Sequence, residues 1–502
     1  MKIFTANQIR AWDAYTIEHE PISSVDLMNR AAQAFTDWFA GIYTDTGRPV
    51  YIIAGTGNNG GDGVAAARLL HFRFYTVKII VCDFSGKHSA DFDAQIRDLP
   101  PRGAVAVHWL KDSAGLPEIP ENALIIDALF GSGLTRPLAG EWAGVMEWLN
   151  GLPNDIAAVD LPSGLFADRH SDAPCIRASR TFSFETPKLA FFFPENAERV
   201  GAWAFGNIGL HPAYALKTET SFHYITGPEI RTLVKPRPRF SHKGTYGHAL
   251  LINGGHGKMG AAVLAARACL RAGVGLLTAH TPGCGYEIIQ ISVPEAMCSA
   301  DKHPEMITQA PDPKQFAAVG VGCGIGAAPE TAAALKQLLR KTERPVVLDA
   351  DALNLLSKNK YWWKLIPENS VLTPHPKEFE RLFGASENDF DRLEQQMDKA
   401  RAHRIFIVLK GAFSSVATPE GECYFNSTGN PGMAAGGSGD VLTGILTALL
   451  AQGYEPRAAC LLGVYLHGLA GDLAAAELSQ PGMTAGDLID YLPKAWKKLS
   501  DQ

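Results

Sequence analysis

The sequence has no long apolar run and no excess of basic charge, and these absences exclude several classes of protein. No stretch reaches the roughly 18 uninterrupted apolar residues needed to span a bilayer, and the first ten residues lack the apolar core of a signal peptide. Lys and Arg number 46 against 52 Asp and Glu, so the net charge of −6 argues against nucleic-acid binding. We therefore predict a cytoplasmic protein that binds neither membranes nor nucleic acids.

Cysteine pairs are also lacking. The eight cysteines are scattered and no two form a C-x-x-C motif, which favours free thiols in a reducing compartment over disulfides or a thiolate metal site. Hydrophobic residues make up 46% and charged residues 20%, an ordinary soluble composition that argues against disorder. At roughly 150 residues per domain, the 502 residues suggest two large domains or three smaller ones.

Glycine accounts for 49 of the 502 residues, a larger share than the usual value of about 7%. The glycines cluster after short apolar runs. Such runs alternate with helical patterns along the whole chain. Near-continuous apolar strands separated by helices predict an α/β fold with parallel sheets covered on both faces. The predicted strands cover residues 50–54, 77–81, 124–126, 156–159, 249–252, 317–321, 346–348, 371–372 and 405–409, and helices include 25–39, 63–72, 140–149, 261–271 and 439–450.

The first helix is predicted from a capping box at Thr5 and Gln8. Ala11, Tyr15 and Ile17 are expected to lie on or near its buried stripe. Between the two series of alternating elements lies a segment without a long periodic run. We therefore predict two α/β domains, over residues 1–220 and 221–502.

The first candidate site is the loop over residues 55–63, which follows a predicted strand and precedes a helix. Gly55, Gly57 and Gly60 satisfy G-x-G-x-x-G, and Asp83 follows about 20 residues on, as in a dinucleotide-binding fingerprint. Small residues there let backbone amides meet a phosphate at the helix start. A tight glycine turn that binds nothing is the plain alternative.

Two further strand ends carry a carboxylate each. Asp127 precedes the glycine-containing segment 131–137, and Asp160 precedes L-P-S-G at 161–164. Carboxylates at the tips of apolar strands are costly to desolvate, so we expect a cation or a polar ligand beside them. Helix capping is the alternative for either residue alone.

These three motifs, in this order, resemble the NAD(P)H-hydrate epimerase domain of the YjeF N-terminal family over roughly residues 1–220. The resemblance implies a hydrated nicotinamide nucleotide as substrate, Asp160 as its catalytic acid or base, and K⁺ as a cofactor. It implies K⁺ ligands at Asn59, Asp127 and Ser163. It implies substrate contacts at Asn58, Asn59, Gly60, Gly61, Asp62, Gly131, Ser132, Gly133, Leu134, Thr135, Arg136, Pro137 and Asp160.

In the second half, a phosphate-binding P-loop is excluded, since Ile252 and Met259 occupy the positions that need Gly and Ser or Thr. The stronger candidate is the glycine-rich segment 430–440, which opens an apolar helix. Free amides and the positive end of the helix dipole would bind an anion there. Asp440 would accept a proton from an attacking hydroxyl, as in phosphoryl transfer. A simple helix-capping Asp is the alternative.

Polar clusters follow four other strands of this half, at 320–326, at Asp349 and Asp351, at 373–378 and at 410–414. Together with G-G-S-G-D they resemble the ADP-dependent NAD(P)H-hydrate dehydratase family of the ribokinase-like superfamily, over roughly residues 225–500. The resemblance implies ADP as donor, Mg²⁺, and AMP and phosphate as products. It implies substrate contacts at Ala261, Gly322, Gly324, His375 and the catalytic Asp440, and nucleotide contacts at Lys410, Gly411, Ala412, Phe413, Ser414 and Gly439.

The whole chain thus resembles a family of bifunctional metabolite-repair enzymes, each an isomerase and a lyase. The expected fold is an N-terminal Rossmann-like three-layer domain followed by a ribokinase-like α/β domain. We expect a homo-oligomer acting on hydrated NADH or NADPH and ADP. Three alternatives stay open: a dehydrogenase, a small-molecule kinase fused to a dinucleotide-binding domain, and a ligand sensor without activity.

Overall fold

The computed structural model describes residues 1–101 and 103–500. Among these residues the chain forms two compact units. The N-terminal unit comprises Lys2–Thr220 and Asn388–Phe390, and the C-terminal unit comprises Met1, Ser221–Glu387 and residues 391–500.

The N-terminal unit alternates strands and helices. Its strands are β1 (Lys2–Ile3), β2 (Val50–Ala54), β3 (Val77–Cys82), β4 (Ala106–Leu110), β5 (Leu124–Ala128), β6 (Ile156–Val159), β7 (Arg180–Phe184) and β8 (Ala202–Gly206). Its helices are α1 (Ala6–His19), α2 (Ser24–Ile42), α3 (Asn58–Phe72), α4 (Ala90–Arg97), α5 (Glu141–Gly151), α6 (Ala197–Val200) and α7 (Pro212–Lys217).

Strands β2 to β8 form one parallel sheet in the order β4-β3-β2-β5-β6-β7-β8. Alternate residues of β2 enter different cores. Val50 and Ile52 pack with residues of α2 and α3, and Tyr51 and Ile53 pack with residues of α5. The sheet is therefore covered on both faces, as the apolar strands predict.

The C-terminal unit repeats this alternation on a larger scale. Its strands are β9 (Phe222–Tyr224), β10 (His248–Ile252), β11 (Leu276–Thr281), β12 (Met297–Ala300), β13 (Ala318–Val321), β14 (Val346–Leu348), β15 (Val371–Leu372), β16 (Phe406–Leu409), β17 (Ser415–Ala417) and β18 (Cys423–Phe425). Its helices are α8 (Gly227–Leu233), α9 (Met259–Arg271), α10 (Tyr286–Ser292), α11 (Pro329–Lys341), α12 (Ala350–Lys358), α13 (Pro376–Phe383), α14 (Asp389–His403), α15 (Ser438–Ala451), α16 (Pro456–Leu478) and α17 (Ala485–Ser500).

The strands of this unit follow the order β9-β18-β17-β16-β15-β14-β13-β10-β11-β12. Their pairing is parallel except that β17 runs antiparallel to β16 and β18. Helices α9, α15, α16 and α17 contribute to the core on one face, and α11, α12 and α13 to the core on the other. The predicted α/β fold with parallel sheets is confirmed.

Two local predictions near the N-terminus differ from the structure. Helix α3 begins at Asn58 rather than at residue 63, so the glycines of N-N-G-G-D-G lie in its first turns. Of the three residues expected on or near the buried stripe of α1, Ala11 is exposed, whereas Tyr15 and Ile17 are half-buried; the buried residues of α1 are Ile9, Trp12 and Thr16.

Helix α16 is long and apolar enough to cross a membrane by length and composition, the one such helix among the described residues. Its most apolar window is 67% buried within the protein. Its buried residues belong to the same core as those of α15 and α17, so its apolar character is accounted for by packing.

Close packing of α9 on α15 depends on Gly444, where an added Cβ would lie 2.2 Å from the Ala265 carbonyl oxygen. We expect Gly444→Ala to destabilise the C-terminal unit by about 1–3 kcal/mol because backbone must shift to relieve the clash. The matched control is Gly260→Ala on α9, where a Cβ meets open space and helix propensity favours Ala. Urea denaturation midpoints check this; equal midpoints for both variants would contradict it.

Candidate active sites

A cavity of about 1030 Å³ lies in the N-terminal unit, at the carboxyl ends of β2, β5 and β6. Ligands of open parallel sheets bind at this position. Its lining includes most of the substrate contacts expected from the sequence: Asn58, Asn59, Asp62, Gly131, Ser132, Gly133, Leu134, Thr135, Arg136, Pro137 and Asp160.

Gly60 and Gly61, also expected to contact substrate, are buried and are not among the residues that line this cavity. A Cβ at position 60 would lie 1.8 Å from the Gly55 carbonyl oxygen, and one at position 61 would lie 2.7 Å from the Met28 sulfur. Glycine is therefore needed at position 60, where backbone lies in the way, whereas at position 61 the Met28 side chain would have to move.

Asp160 is the most constrained carboxylate at the cavity. It is 6% exposed and has a left-handed backbone conformation, φ 64°, which is unusual for a non-glycine residue. One oxygen lies 2.9 Å from the Lys188 ammonium, and the other accepts a hydrogen bond from the Ser132 amide at 3.2 Å. Burial, the largest single effect, would raise the pKa of Asp160, but the Lys188 charge and the hydrogen bonds from Lys188, Ser132 and Phe184 together hold this pKa below its usual value.

Lys188 was not singled out from the sequence. It is 1% exposed and donates to Ser183 Oγ at 3.0 Å and the Phe184 carbonyl at 3.1 Å, in addition to Asp160. The available signal was a lone lysine directly before the apolar segment Leu189–Phe192. A charge inside such a segment requires a buried partner.

Two more carboxylates face the cavity from helices, Asp13 on α1 and Asp62 on α3. Burial and the nearby Asp160 charge raise the pKa of Asp13 to about 7. The same two causes raise the pKa of Asp62 well above its usual value. The cavity therefore combines an ionised Asp160 with two carboxyl groups that hold protons more tightly, and Asp13 was missed by the sequence interpretation.

The expected K⁺ ligands Asp127 and Ser163 are fully buried and do not line the cavity. Asp127 accepts hydrogen bonds from the Ser163 amide at 2.8 Å and hydroxyl at 2.6 Å, and burial raises its pKa to about 6. Among the described residues no cation pairs with Asp127, and a buried carboxylate of this kind fits a monovalent cation. Within the same part of the chain, Asn59 Nδ2 is buried without a hydrogen-bond partner, and a flip of this amide would put its oxygen in the position of Nδ2.

Asp83, expected to meet a ribose in the dehydrogenase alternative, is engaged within the protein. Its carboxylate pairs with the Lys111 ammonium, lies 3.4 Å from His88, and accepts a hydrogen bond from the Gly86 amide at 2.9 Å. This arrangement removes the residue on which the dinucleotide fingerprint depended.

In the C-terminal unit, α15 opens after Gly437, whose φ of 94° is a left-handed conformation suited to glycine. A Cβ at Gly439 would lie 3.3 Å from the Lys410 ammonium nitrogen. The helix start and this ammonium are therefore adjacent. Lys410 pairs with Asp349 at 2.8 Å, and Thr443 donates to the other Asp349 oxygen at 2.8 Å.

Asp440 lies in the first turn of α15, beside this pair. Burial raises the pKa of its carboxyl, as do the charges of Asp349 and Asp351, against the opposing hydrogen bond from the buried Cys323 thiol. Other residues expected to contact the substrate lie close to Asp349 or to one another. A Cβ at Gly322 would lie 1.9 Å from the Asp349 carbonyl oxygen, and one at Gly324 would lie 3.4 Å from Ala261 Cβ.

His375 caps α13, and its Nδ1 accepts hydrogen bonds from the Lys377 and Glu378 amides. Burial lowers the pKa of its ring, which favours the neutral form that capping needs. Glu378 lies 3.8 Å from the Lys410 ammonium, so this cap reaches the same site.

Residues 410–414 form a turn in which the Gly411 amide donates to Ser414 Oγ at 3.3 Å. The other members of that turn are Ala412, which is exposed, and Phe413, which is half-buried.

Comparison with known proteins agrees with this division into two sites. A family model for the YjeF-related protein N-terminus matches residues 24–190, and one for NAD(P)H-hydrate dehydratase matches residues 249–494. The chain is 34% identical to the bifunctional NAD(P)H-hydrate repair enzyme Nnr of Moorella thermoacetica, covering 100% of this chain and 98% of that protein. For the protein of the same name from Thermofilum pendens, the identity is 33% and the coverage 100% and 97%.

Among solved structures, the C-terminal unit is similar to the ADP/ATP-dependent NAD(P)H-hydrate dehydratase from Bacillus subtilis, co-crystallised with ATP and Mg²⁺. That match has a TM-score of 0.50 at 33% identity and covers 55% of this chain and 98% of that chain. The resemblances found in the sequence are confirmed. The chain belongs to the family of bifunctional NAD(P)H-hydrate repair enzymes.

Proposed function

We propose that the N-terminal unit interconverts the R and S forms of hydrated NADH and NADPH, and that the C-terminal unit dehydrates the S form at the expense of ADP. The products are NADH or NADPH, AMP and phosphate. The observation that carries this proposal is the adjacency of Lys410, Asp440 and the glycine-rich start of α15. A bound phosphate there would meet free amides, an ammonium and a base together.

The chemistry of dehydration explains why a kinase-like site is needed. Hydroxide is a poor leaving group and phosphate a good one. Asp440 takes the proton of the ring hydroxyl, whose oxygen then attacks the β-phosphate of ADP and displaces AMP. The lone pair of the adjacent ring nitrogen expels phosphate, and loss of a ring proton restores the dihydronicotinamide. Lys410 and the Gly439 amide are placed to stabilise charge on the transferred phosphoryl group.

Nucleotide and substrate contacts in this unit follow the sequence expectation. Residues 410–414 and Gly439 would bind ADP, with Ala261, Gly322, Gly324 and His375 beside the hydrated ring. The charges of Asp349 and Asp351 raise the pKa of Asp440, so negative charge is concentrated here and a cation would offset it. Mg²⁺ prefers such oxygen ligands, and Asp351 would hold the ion together with waters and phosphates. When bound, Mg²⁺ would neutralise charge on the nucleotide phosphates.

In the N-terminal unit, the loop over residues 131–137 and the first turn of α3 would hold the nucleotide of the substrate. Asp160, fixed by Lys188, would lie near the hydroxyl-bearing carbon and act in proton transfer. Asn59, Asp127 and Ser163 would hold K⁺, which would supply a fixed positive charge below the cavity. Gly60 and Gly61 support this loop through packing.

A stable phosphorylated product, as a small-molecule kinase would give, is not favoured, because both units match families that act on hydrated nicotinamide nucleotides. A cytoplasmic location follows from the same metabolite-repair role. The homo-oligomeric state stays a prediction, which light scattering of the full chain tests.

Asp440→Asn should lower the dehydration rate of the S form by about 10²–10⁴-fold, because the amide cannot accept the hydroxyl proton. Formation of NADPH is followed at its absorbance maximum with saturating ADP and Mg²⁺. The control is Asp398→Asn, an exposed carboxylate of α14. Dehydration by Asp440→Asn at the wild-type rate would remove this residue from the mechanism.

Asp160→Asn should separate the two activities. Given mixed epimers and excess ADP, wild-type protein should convert the whole mixture, whereas the variant should pause once the S form is consumed. Initial dehydration of pure S form should be unchanged, which shows that the protein is folded. Complete conversion by the variant at the wild-type rate, beyond the slow spontaneous epimerisation of a blank, would exclude Asp160 as the acid or base.

K⁺ should stabilise the N-terminal unit. If it binds beside the buried Asp127, its binding to the folded form should raise the thermal midpoint in KCl relative to tetramethylammonium chloride at equal ionic strength. Asp127→Asn should lose most of this difference. An equal response of wild type and variant to K⁺ would show that the ion binds elsewhere.

A further inference from the structure

The distribution of charge in the N-terminal cavity is uneven. Three aspartates face it, Asp13, Asp62 and Asp160, but the buried Lys188 pairs with Asp160 alone among them. Among the described residues, no hydrogen bond or ion pair joins the Asp13 carboxylate to another side chain or amide. Asp13 is thus half-buried and faces the cavity without a protein partner.

Packing and capping do not explain an aspartate at position 13. The buried stripe of α1 is formed by Ile9, Trp12 and Thr16, and the N-terminal cap of this helix is Thr5. Asp has low helix propensity away from the first turn. A half-buried carboxylate in mid-helix therefore lowers the stability of the fold and contributes neither packing nor capping, which is typical of a functional residue.

We propose that Asp13 is a second catalytic residue of the epimerase, which exchanges a proton with the hydroxyl being inverted while Asp160 exchanges one with the water that replaces it. This proposal rests on the epimerase function proposed above. It divides the acid and base roles between two residues on different elements, α1 and the end of β6. Two groups on different elements suit inversion, since the hydroxyl leaves one face of the ring and water adds to the other.

The steps balance without any further reactant. Asp13 donates its proton to the ring hydroxyl, the C–O bond breaks, and water leaves as the ring-nitrogen lone pair forms a C=N⁺ bond. A water attacks the other face of that carbon and gives its proton to the Asp160 carboxylate. A proton then passes from Asp160 to Asp13 to reset the site. In the reverse direction the two residues exchange roles.

The electrostatics of the cavity support this division. Asp13, with a pKa of about 7, holds a proton near neutral pH, while Asp160 is ionised. Two neighbouring carboxyl groups with pKa values driven apart are the arrangement that acid–base pairs require. The charged groups that act on Asp13 from the surrounding elements are Asp160, Lys188, Glu185 and Asp62, and Arg10 lies on the same helix.

The test is Asp13→Asn in the full chain, with epimers separated by chromatography and no ADP present, so that only epimerisation is followed. We expect kcat to fall by about 10²–10⁴-fold with KM changed less than about threefold. Dehydration of pure S form with ADP should stay at the wild-type rate and shows that the chain is folded. Glu18→Gln, an exposed carboxylate on the same helix, is the matched control.

The pH profile separates catalysis from a structural effect. Wild-type kcat should fall as pH rises through about 7, since Asp13 loses its proton there. Asp13→Glu should have part of the wild-type activity, and its fall of kcat with rising pH should occur at a different pH. Asp13→Asn should not show this fall near pH 7. The proposal would be overturned if Asp13→Asn epimerised at the wild-type rate, or if its residual activity still fell with rising pH as the wild-type activity does.

Oxygen exchange gives a second readout. In H₂¹⁸O, each inversion catalysed by the wild-type protein should install one solvent oxygen, and inversion with retention of the original oxygen would contradict loss of water.

An incorrect role for Asp13 is distinguishable from an incorrect assignment of the epimerase function itself. If wild-type protein does not epimerise the substrate at all, the proposed function is wrong rather than the role of Asp13.

Discussion

Each unit depends on one lysine held against one aspartate at the carboxyl end of a strand. Lys188 pairs with Asp160 at 2.9 Å, and Lys410 pairs with Asp349 at 2.8 Å. Removing one partner from a buried ion pair costs about 3–5 kcal/mol, because the remaining charge is left uncompensated. Both pairs therefore fix the backbone and side chains around them, and both lie where a parallel sheet presents its ligand site.

The same pairing makes the neighbouring carboxylates available for chemistry. The pKa of the neighbouring carboxyl group is raised in each unit, at Asp13 and at Asp440, by burial and by the charge of the lysine-paired aspartate, against the lowering effect of the lysine itself. Burial is the leading cause in both cases. Each unit thus has a carboxyl group with a raised pKa near an aspartate that is paired with a lysine, an arrangement suited to acid–base chemistry.

The sequence was sufficient for the fold class and for most of the cavity, because apolar strands ending in polar residues leave a clear pattern. It did not reveal Asp13, since the buried stripe of α1, formed by Ile9, Trp12 and Thr16, was located only approximately and the side of the helix that faces the cavity was not identified. The sequence also could not distinguish a packing role from ligand contact at Gly60 and Gly61, because both roles favour glycine.

The central claim is that the start of α15 receives the terminal phosphate of a nucleotide while Asp440 faces the substrate hydroxyl. A crystal structure of the full chain with Mg²⁺ and ADP tests this most directly. The account predicts the β-phosphate at the amides of Gly439 and Asp440, within hydrogen-bonding distance of Lys410. Density for ADP bound at any other place, with this helix start vacant, would contradict it.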